Sequence, residues 1–248
     1  MKRRLFLASS LAALGLDGCG VHLGNRLNDT PWIHNALGAA QPLNHAVIGT
    51  RGMAKLYREA DVDREFRTNG FDPPHTAQYM QWVRDGYRDY KLVVDGLVDR
   101  PQAYALSELR AMPQQTQITR HDCVEGWSAI GKWRGVKLAD VLAAAAPQAG
   151  ARYAVFHCMD LSDENTPYYE SLDLHQAAHP QALLALDLND AALDPAHGAP
   201  VRLRIPTQLG YKSAKWVRRI ELVASYDRIG GGKGGYWEDN GYEWYAGI

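Results

Sequence analysis

Short apolar stretches, each closed by turn residues or by a proline, recur along this chain and restrict the folds open to it. Four of them have the length and residue types of β-strands: 153–156, 183–188, 201–205 and 219–223. A further stretch, 91–98, predicts two strands joined by a turn at Asp95-Gly96.

Helical spacing appears between these strands. It predicts helices over 76–87, over 106–112 with Ser107 as a candidate cap and an end before Pro113, and over 136–146, where a proline follows. A further alternating segment, 115–120, predicts a strand that leads to Cys123, which would lie between this strand and a helix. Short strands interleaved with helices predict a mixed α+β domain.

Size and charge narrow the classes of function. With 248 residues, 46% of them hydrophobic, the chain can bury the core of a single domain. Its 27 Lys and Arg residues nearly balance 28 Asp and Glu residues, so no overall charge favours nucleic acid or acidic membranes. Any basic binding site must therefore be local.

The first twenty residues have the pattern of an export signal. Basic residues at Lys2-Arg3-Arg4 precede a short apolar run. The Arg3-Arg4 pair followed by Phe6-Leu7 resembles a twin-arginine signal, which exports folded proteins to the periplasm, and an ordinary secretory signal is the alternative. Residues 16–19 resemble a lipoprotein box that would anchor the chain through Cys19, although Asp17 departs from it. We therefore divide the chain into a signal peptide (1–20), an extended lead-in (21–57) and a functional domain (58–248).

Cys123 is the most informative single residue. The chain has three cysteines, Cys19, Cys123 and Cys158, and an odd number in an exported protein argues against a disulfide framework. A thiolate is a strong soft ligand for transition metals. The alternatives are a Cys123–Cys158 bridge, a buried apolar cysteine and a free thiol.

A second segment has the features of an anion site. Arg202 and Arg204 alternate with apolar residues, so both side chains project to one face of the predicted strand. Ser213, Ala214 and Lys215 follow Gly210 in a loop where backbone N–H groups and an ammonium group can receive anionic oxygens. The alternative is a solvated strand face that pairs with acidic neighbours.

These segments, taken in order, resemble the molybdenum-cofactor domain of the sulfite oxidase family. The resemblance lies in Cys123 and in four runs: Phe-Arg-Thr-Asn-Gly at 66–70, Phe-His-Cys-Met-Asp at 156–160, His-Gly-Ala-Pro-Val-Arg at 197–202 and Ser-Ala-Lys-Trp at 213–216. It implies a mixed-sheet α+β domain that binds Mo-molybdopterin, with Cys123 as the protein ligand to molybdenum and Tyr242 as a catalytic residue. It also implies a set of cofactor-binding residues: Phe66, Arg67, Asn69, Asp160, His197, Arg202, Ser213, Ala214 and Lys215.

Two departures bear on the substrate. Sulfite oxidases follow their cysteine with an arginine-rich stretch, whereas here residues 124–128 read Val-Glu-Gly-Trp-Ser. That run is more similar to a bacterial periplasmic branch that includes the catalytic subunit of the protein-methionine-sulfoxide reductase. Thr68 stands where sulfite oxidases carry an arginine. Both departures argue against sulfite itself as the substrate.

The resemblance implies an exported oxidoreductase that transfers an oxygen atom to or from a small S-oxide, N-oxide or sulfite-like compound. We expect a monomer that exchanges electrons with a cytochrome or a membrane quinone-linked protein. Two other classes remain open. One is a hydrolase with Cys123 as nucleophile and His121 or His157 as base; the other is a cofactor-free binding lipoprotein.

Overall fold

The computed structural model describes residues 52–162 and 166–248. The predicted signal peptide, Cys19 and most of the predicted lead-in lie outside the described residues. At 52–58 the chain forms neither helix nor strand, and the Tyr57 N–H donates to the carbonyl of Ile118 at 2.9 Å. Within these two ranges, every helix is too short or too polar to cross a bilayer.

The described residues form ten strands and five α-helices. The strands are β1 (Lys91–Gly96), β2 (Gln102–Ala105), β3 (Gln114–Asp122), β4 (Ser128–Lys137), β5 (Tyr153–Leu161), β6 (Pro167–Asp173), β7 (Leu183–Leu188), β8 (Ala191–Ala192), β9 (Arg202–Arg204) and β10 (Val217–Val223). The helices are α1 (Ala77–Arg84), α2 (Leu106–Ala111), α3 (Leu138–Ala145), α4 (Leu174–Ala177) and α5 (Tyr236–Asp239). Three short 3₁₀ turns lie at Glu59–Asp61, Pro195–His197 and Gly210–Lys212.

The strands form two sheets. The first has the order β2-β1-β10-β5-β6, and β1 and β10 are its one parallel pair among the described strands. The second has the order β3-β4-β7-β8, with β9 also paired to β7. This mixed α+β architecture is the fold class that the sequence predicts.

Apolar side chains from both sheets meet in one core. Leu92, Phe156 and Ile220 come from the first sheet, and Leu184 and Leu203 come from the second; all five are fully buried. Burial of each such side chain contributes about 1.5–3 kcal/mol to folding. This core holds the strand ends of the two sheets next to each other.

The predicted helices are present with shorter bounds. α1 begins after Thr76, whose hydroxyl accepts from the Tyr79 N–H at 3.2 Å. α3 begins at Leu138, because residues 136 and 137 still belong to β4. The cap predicted at Ser107 is wrong: α2 begins one residue earlier, and Glu108 Oε2 accepts from the Ala105 N–H at 2.7 Å.

Two strand predictions also need correction. β1 runs through Asp95 to Gly96, and its antiparallel partner is the later strand β2, so 95–96 is not a hairpin turn. A Cβ at Gly96 would collide with the Leu222 backbone, so the glycine there serves a close strand approach. Cys123 lies between the two strands of a β3–β4 hairpin, not between a strand and a helix.

Candidate active site

The β3–β4 hairpin holds Cys123 in place. The Cys123 N–H donates to the Trp127 carbonyl at 2.9 Å, and the Gly126 N–H donates to the Cys123 carbonyl at 3.1 Å. Gly126 has a φ of 86°, which glycine adopts without steric cost. The hairpin therefore fixes the cysteine backbone at the end of a paired ladder. Burial raises the pKa of its thiol, which is 9% exposed.

The thiol lines a cavity of about 110 Å³ to which both sheets contribute. The second sheet supplies the loop that carries Cys123, and the first supplies Asp160 on β5 and Tyr168 on β6. Seven of the predicted site residues line this cavity: Asn69, Cys123, Asp160, Ser213, Ala214, Lys215 and Tyr242. Residues that lie up to 173 positions apart in the chain thus share one cleft.

Three further predicted residues lie directly behind the cavity wall. Arg202 is fully buried; its Nη2 donates to Asn69 Oδ1 at 2.9 Å and its Nη1 to the His197 carbonyl at 3.3 Å. The ring of His197 is hydrogen-bonded through Nε2 to the Phe66 carbonyl at 2.9 Å, and Asp194 binds its Nδ1 at 2.8 Å. Phe66, His197 and Arg202 therefore support the residues that line the cavity.

Arg67 is the predicted residue that the structure does not place in this group. Its side chain is exposed, and its guanidinium lies over the Trp127 ring at 5.2 Å from the ring centroid. It contacts the outer side of the hairpin and does not line the cavity.

The cationic side chains of the site form no hydrogen bond to a carboxylate among the described residues. The Lys215 ammonium donates to the carbonyls of Phe71 (2.7 Å) and Ala196 (3.3 Å). Burial, together with the charge of Arg202, lowers the pKa of Lys215 to about 7, and burial lowers the pKa of Arg202 to about 10. Among the described residues, no carboxylate is hydrogen-bonded to either cation. An anion bound in the cavity would offset this cost of burial.

Asp160 is a buried acidic group that lines the cavity. It is 3% exposed, and its Oδ1 has no hydrogen-bond partner among the described residues. Burial raises the pKa of Asp160 to about 7. A buried carboxyl oxygen without a partner is free to accept a hydrogen bond from a ligand.

Glu125 is a site residue that sequence reasoning missed. Its carboxylate accepts from Trp127 Nε1 at 2.9 Å and from the Gly70 N–H at 3.3 Å. The hydrogen bond from Trp127 lowers the pKa of Glu125, which also interacts with the Cys123 thiol. The signal was present in the run after the cysteine, because residue 125 is acidic and two positions from the thiol.

Aromatic rings form the outer wall of the cavity. Trp237 stacks on Phe71 (5.8 Å between centroids, 15° between planes) and on Tyr242 (5.2 Å, 28°). Tyr211 meets Tyr242 edge-on at 5.3 Å. Tyr242 is 39% exposed, so its phenol lies where the cavity opens to solvent.

A known protein family matches the central part of this chain. The family model described as "Oxidoreductase molybdopterin binding domain" matches residues 79–228. That span includes Cys123, Asp160 and the segment from His197 to Lys215, whereas residues 66–69 and Tyr242 lie outside it.

Among individual relatives, the chain is 36% identical over 99% of its length to the "Putative protein-methionine-sulfoxide reductase subunit YedZ1" of Azospira oryzae, covering 87% of that protein. It is 32% identical over 90% of its length to the protein-methionine-sulfoxide reductase catalytic subunit MsrP of Ralstonia nicotianae, and 31% identical over 90% to the MsrP of Xanthomonas axonopodis pv. citri. Each match covers 69% of the MsrP chain.

Among solved structures, the sulfane dehydrogenase SoxCD of Paracoccus pantotrophus matches with a TM-score of 0.50 at 24% identity. The match covers 56% of this chain and 39% of the other, so this chain spans less than half of the solved one. The likeness is one of fold.

Proposed function

We propose, because the chain belongs to the oxidoreductase molybdopterin-binding domain family, that this molybdopterin-dependent oxidoreductase reduces methionine sulfoxide. The relatives named as methionine-sulfoxide reductase subunits support this substrate class. The balanced reaction is R₂S=O + 2H⁺ + 2e⁻ → R₂S + H₂O, with the electrons supplied by a separate redox protein. The bound molybdenum cofactor supplies the two-electron oxygen-atom exchange.

The observation that carries this proposal is the shared cavity of Cys123 and Lys215. The cavity brings one thiol near cations that have no hydrogen-bonded carboxylate among the described residues, and this donor set suits a metal carried by an anionic organic group. Arg202 Nε and Asp160 Oδ1 are buried without a partner in the described structure. Such orphaned polar atoms are rare in native proteins. The residues therefore fit a molybdopterin with its phosphate.

Each residue would then have a distinct task. Cys123 would bind molybdenum through its sulfur, and Glu125 would hold the hairpin through its bonds to Trp127 and Gly70. Asn69, Asp160 and Ser213 would contact the pterin, while Arg202 and Lys215 would neutralise its charge. The Tyr242 phenol at the cavity mouth would donate a hydrogen bond to the oxygen that is transferred.

The thiol hydrolase alternative receives little support from this geometry. Neither ring nitrogen of the proposed base His121 has a hydrogen-bond partner among the described residues, so this ring does not pair with the Cys123 thiol. The proposed base His157 is hydrogen-bonded to Glu221 at 2.8 Å on the first sheet. A purely binding lipoprotein would not need a thiol, Arg202 and Lys215 around one cavity.

The same proposal includes the location of the protein, its electron donor and its oligomeric state. The signal-like residues 1–20 support twin-arginine export to the periplasm, with Cys19 as a lipid anchor if the lipoprotein box is used. The relatives' names describe subunits, which supports a separate electron donor such as a cytochrome or a membrane quinone-linked protein. We propose that the catalytic chain itself is a monomer.

Elemental analysis tests the proposal directly. Protein purified from a molybdenum-replete host with intact cofactor synthesis should contain molybdenum near one equivalent, and it should reduce methionine sulfoxide with a chemical electron donor. A panel of free and protein-bound methionine sulfoxide, dimethyl sulfoxide, an N-oxide and sulfite identifies the substrate class. Protein without molybdenum would refute the proposal.

Cys123→Ser tests the metal ligand. The variant should fold normally, lose turnover and show one fewer sulfur ligand by X-ray absorption at the molybdenum edge. Cys158→Ser is the matched control, because Cys158 is half-buried against the core and does not line the cavity. Wild-type turnover and sulfur count in Cys123→Ser would rule out thiolate ligation.

A further inference from the structure

Arg204 is a buried cation that uses only one of its three side-chain nitrogens in hydrogen bonds among the described residues. Its side chain is fully buried on β9. Nη2 donates to the Arg120 carbonyl at 2.6 Å and to Thr119 Oγ1 at 3.2 Å, both on β3. Nε and Nη1 have no partner among the described residues. These bonds hold the guanidinium in place and leave its two other nitrogens free to bind a ligand.

A second guanidinium, that of Arg202, lies beside it on the same aromatic ring. Arg202 and Arg204 both lie over the Trp133 ring, at 5.2 and 5.4 Å from its centroid. Burial and the neighbouring Arg202 lower the pKa of Arg204 to about 9. In the described structure no carboxylate is hydrogen-bonded to either guanidinium. Cation–π contact offsets only part of the cost of burying two like charges.

His121 adds another unused polar group. The residue is 1% exposed, and neither Nδ1 nor Nε2 has a partner among the described residues. A Cβ at Gly210 would collide with Nε2 of this ring, and Gly210 itself lines the cavity. The ring therefore lies directly behind the cavity wall. Trp133 Nε1, nearby on β4, is also buried without a partner.

We propose that Arg204 and His121 complete, with Arg202, an anion pocket that holds the terminal phosphate of the pterin cofactor. This inference rests on the proposed function and adds two residues to its cofactor-binding set. The pocket adjoins the cavity at Gly210, which contacts His121, and at Asn69, which binds Arg202. Neutral imidazole donates one N–H and needs no added proton. Buried water is the alternative occupant, but water cannot neutralise two guanidinium groups.

Arg204→Met separates an anchoring role from a structural one. In protein made without cofactor synthesis, the variant should unfold at the same temperature as the wild type or higher, because an unneutralised buried charge is removed. When the variant is purified from a molybdenum-replete host and dialysed, its molybdenum and pterin contents should be at most about one tenth of those of the wild type, because charge-assisted hydrogen bonds are lost. Metal is measured by mass spectrometry and pterin by fluorescence after oxidation.

Matched variants and a simple anion complete the test. Arg219→Met removes an arginine that pairs with Asp95 and Glu221, both at 2.9 Å, away from the cavity, and it should retain full cofactor. His121→Phe keeps an aromatic ring but removes its N–H, and it should also lose cofactor. Inorganic phosphate should raise the unfolding temperature of cofactor-free wild type and leave that of Arg204→Met unchanged.

The outcomes are distinguishable. Wild-type metal and pterin in Arg204→Met would overturn the anion pocket while leaving the proposed function intact. Destabilisation of the cofactor-free variant would also overturn it, because Arg204 would then be a structural residue. A wild-type protein without molybdenum would instead refute the proposed function.

Discussion

Asp160 and Lys215 face one cavity, and burial shifts their pKa values from opposite directions. Burial raises the pKa of Asp160 to about 7, and burial with Arg202 lowers the pKa of Lys215 to about 7. Each group therefore gives up part of its charge near neutral pH when no ligand is bound. A charged ligand would restore the charged forms, since it supplies the missing partner.

The raised pKa of Asp160 predicts how the stability of the cofactor-free protein depends on pH. The pKa of Asp160 rises from an ordinary 3.8 to about 7 on folding, so between these values the folded state binds more protons than the unfolded state. Stability should therefore fall as pH rises from about 4 to about 7, by up to about 4 kcal/mol. Denaturant unfolding of wild type and Asp160→Asn across this range measures the effect. The substitution should flatten the slope, and an equal slope in both proteins would exclude Asp160 as its source.

Tyr242→Phe tests the phenol at the cavity mouth. The variant keeps the ring that stacks on Trp237 and meets Tyr211, so cofactor content and unfolding temperature should not change. Loss of the hydroxyl should lower kcat about 10²-fold if the phenol assists the transferred oxygen. Steady-state kinetics with methionine sulfoxide measures this. An unchanged kcat would assign Tyr242 a packing role only.

At the scale of elements, a buried ionic triad connects three parts of the cavity wall. Lys212 Nζ binds Glu170 Oε1 at 2.5 Å and Glu238 Oε1 at 2.6 Å, and all three side chains are at most 1% exposed. Glu170 lies on β6 near Tyr168, and Glu238 lies on α5 next to Trp237. Lys212 immediately precedes Ser213 in the chain. The three triad residues do not line the cavity themselves, but they position residues that do.

Two substitutions in the triad should lower the free energy of unfolding by different amounts. Lys212→Met leaves two buried carboxyl groups without their cation and should lower the free energy of unfolding by about 3–5 kcal/mol. Burial and the Glu238 charge raise the pKa of Glu170 well above its ordinary value, which favours its neutral form. Glu170→Gln mimics that neutral form and should cost less than about 1 kcal/mol. Urea unfolding at neutral pH measures the free energy of unfolding of both variants. A similar loss of that free energy in both would show that Glu170 is ionised.

At the scale of the whole molecule, the cavity draws on parts of the chain that are far apart. Loop residues 69–71, the β3–β4 hairpin, β5, β6, the 210–215 loop and the C-terminal segment all contribute to its lining. A bound cofactor would contact all of them at once. Ligands that bind only the folded state add to its stability by mass action.

Cofactor loading should therefore stabilise the entire domain. Protein from a replete host should unfold about 10 °C above protein from a host unable to make the cofactor, because a concentration near about 1,000 Kd adds about 4 kcal/mol. Differential scanning calorimetry measures both forms, and Cys158→Ser serves as a control that should show the same difference. Equal unfolding temperatures would mean that the cofactor does not bind across this cavity.

Sequence reasoning predicted the strands whose apolar residues are continuous or alternate with polar ones, and it missed β2, β4, β6 and β8. β4 includes Gly131 and Gly135, which look like breaks in a strand. A Cβ at Gly135 would collide with the Leu184 backbone, so that glycine permits close packing against β7. β6 carries Glu170 and Ser171 in buried positions, and the partner of the Glu170 carboxyl group is Lys212, which comes from a distant part of the chain.

The functional site, like the strands, could be predicted only in part from the sequence. The types and order of Cys123, Arg202 and Lys215 are local features, and local features determine which chemistry a chain can perform. The tertiary structure alone decided that Arg67 lies outside the cavity, that Glu125 contacts the thiol, and that the strand face of Arg202 and Arg204 is buried and not solvated. These outcomes depend on side-chain direction and on pairing between strands far apart in sequence, because burial and charge neutralisation are properties of neighbours that only the folded chain brings together.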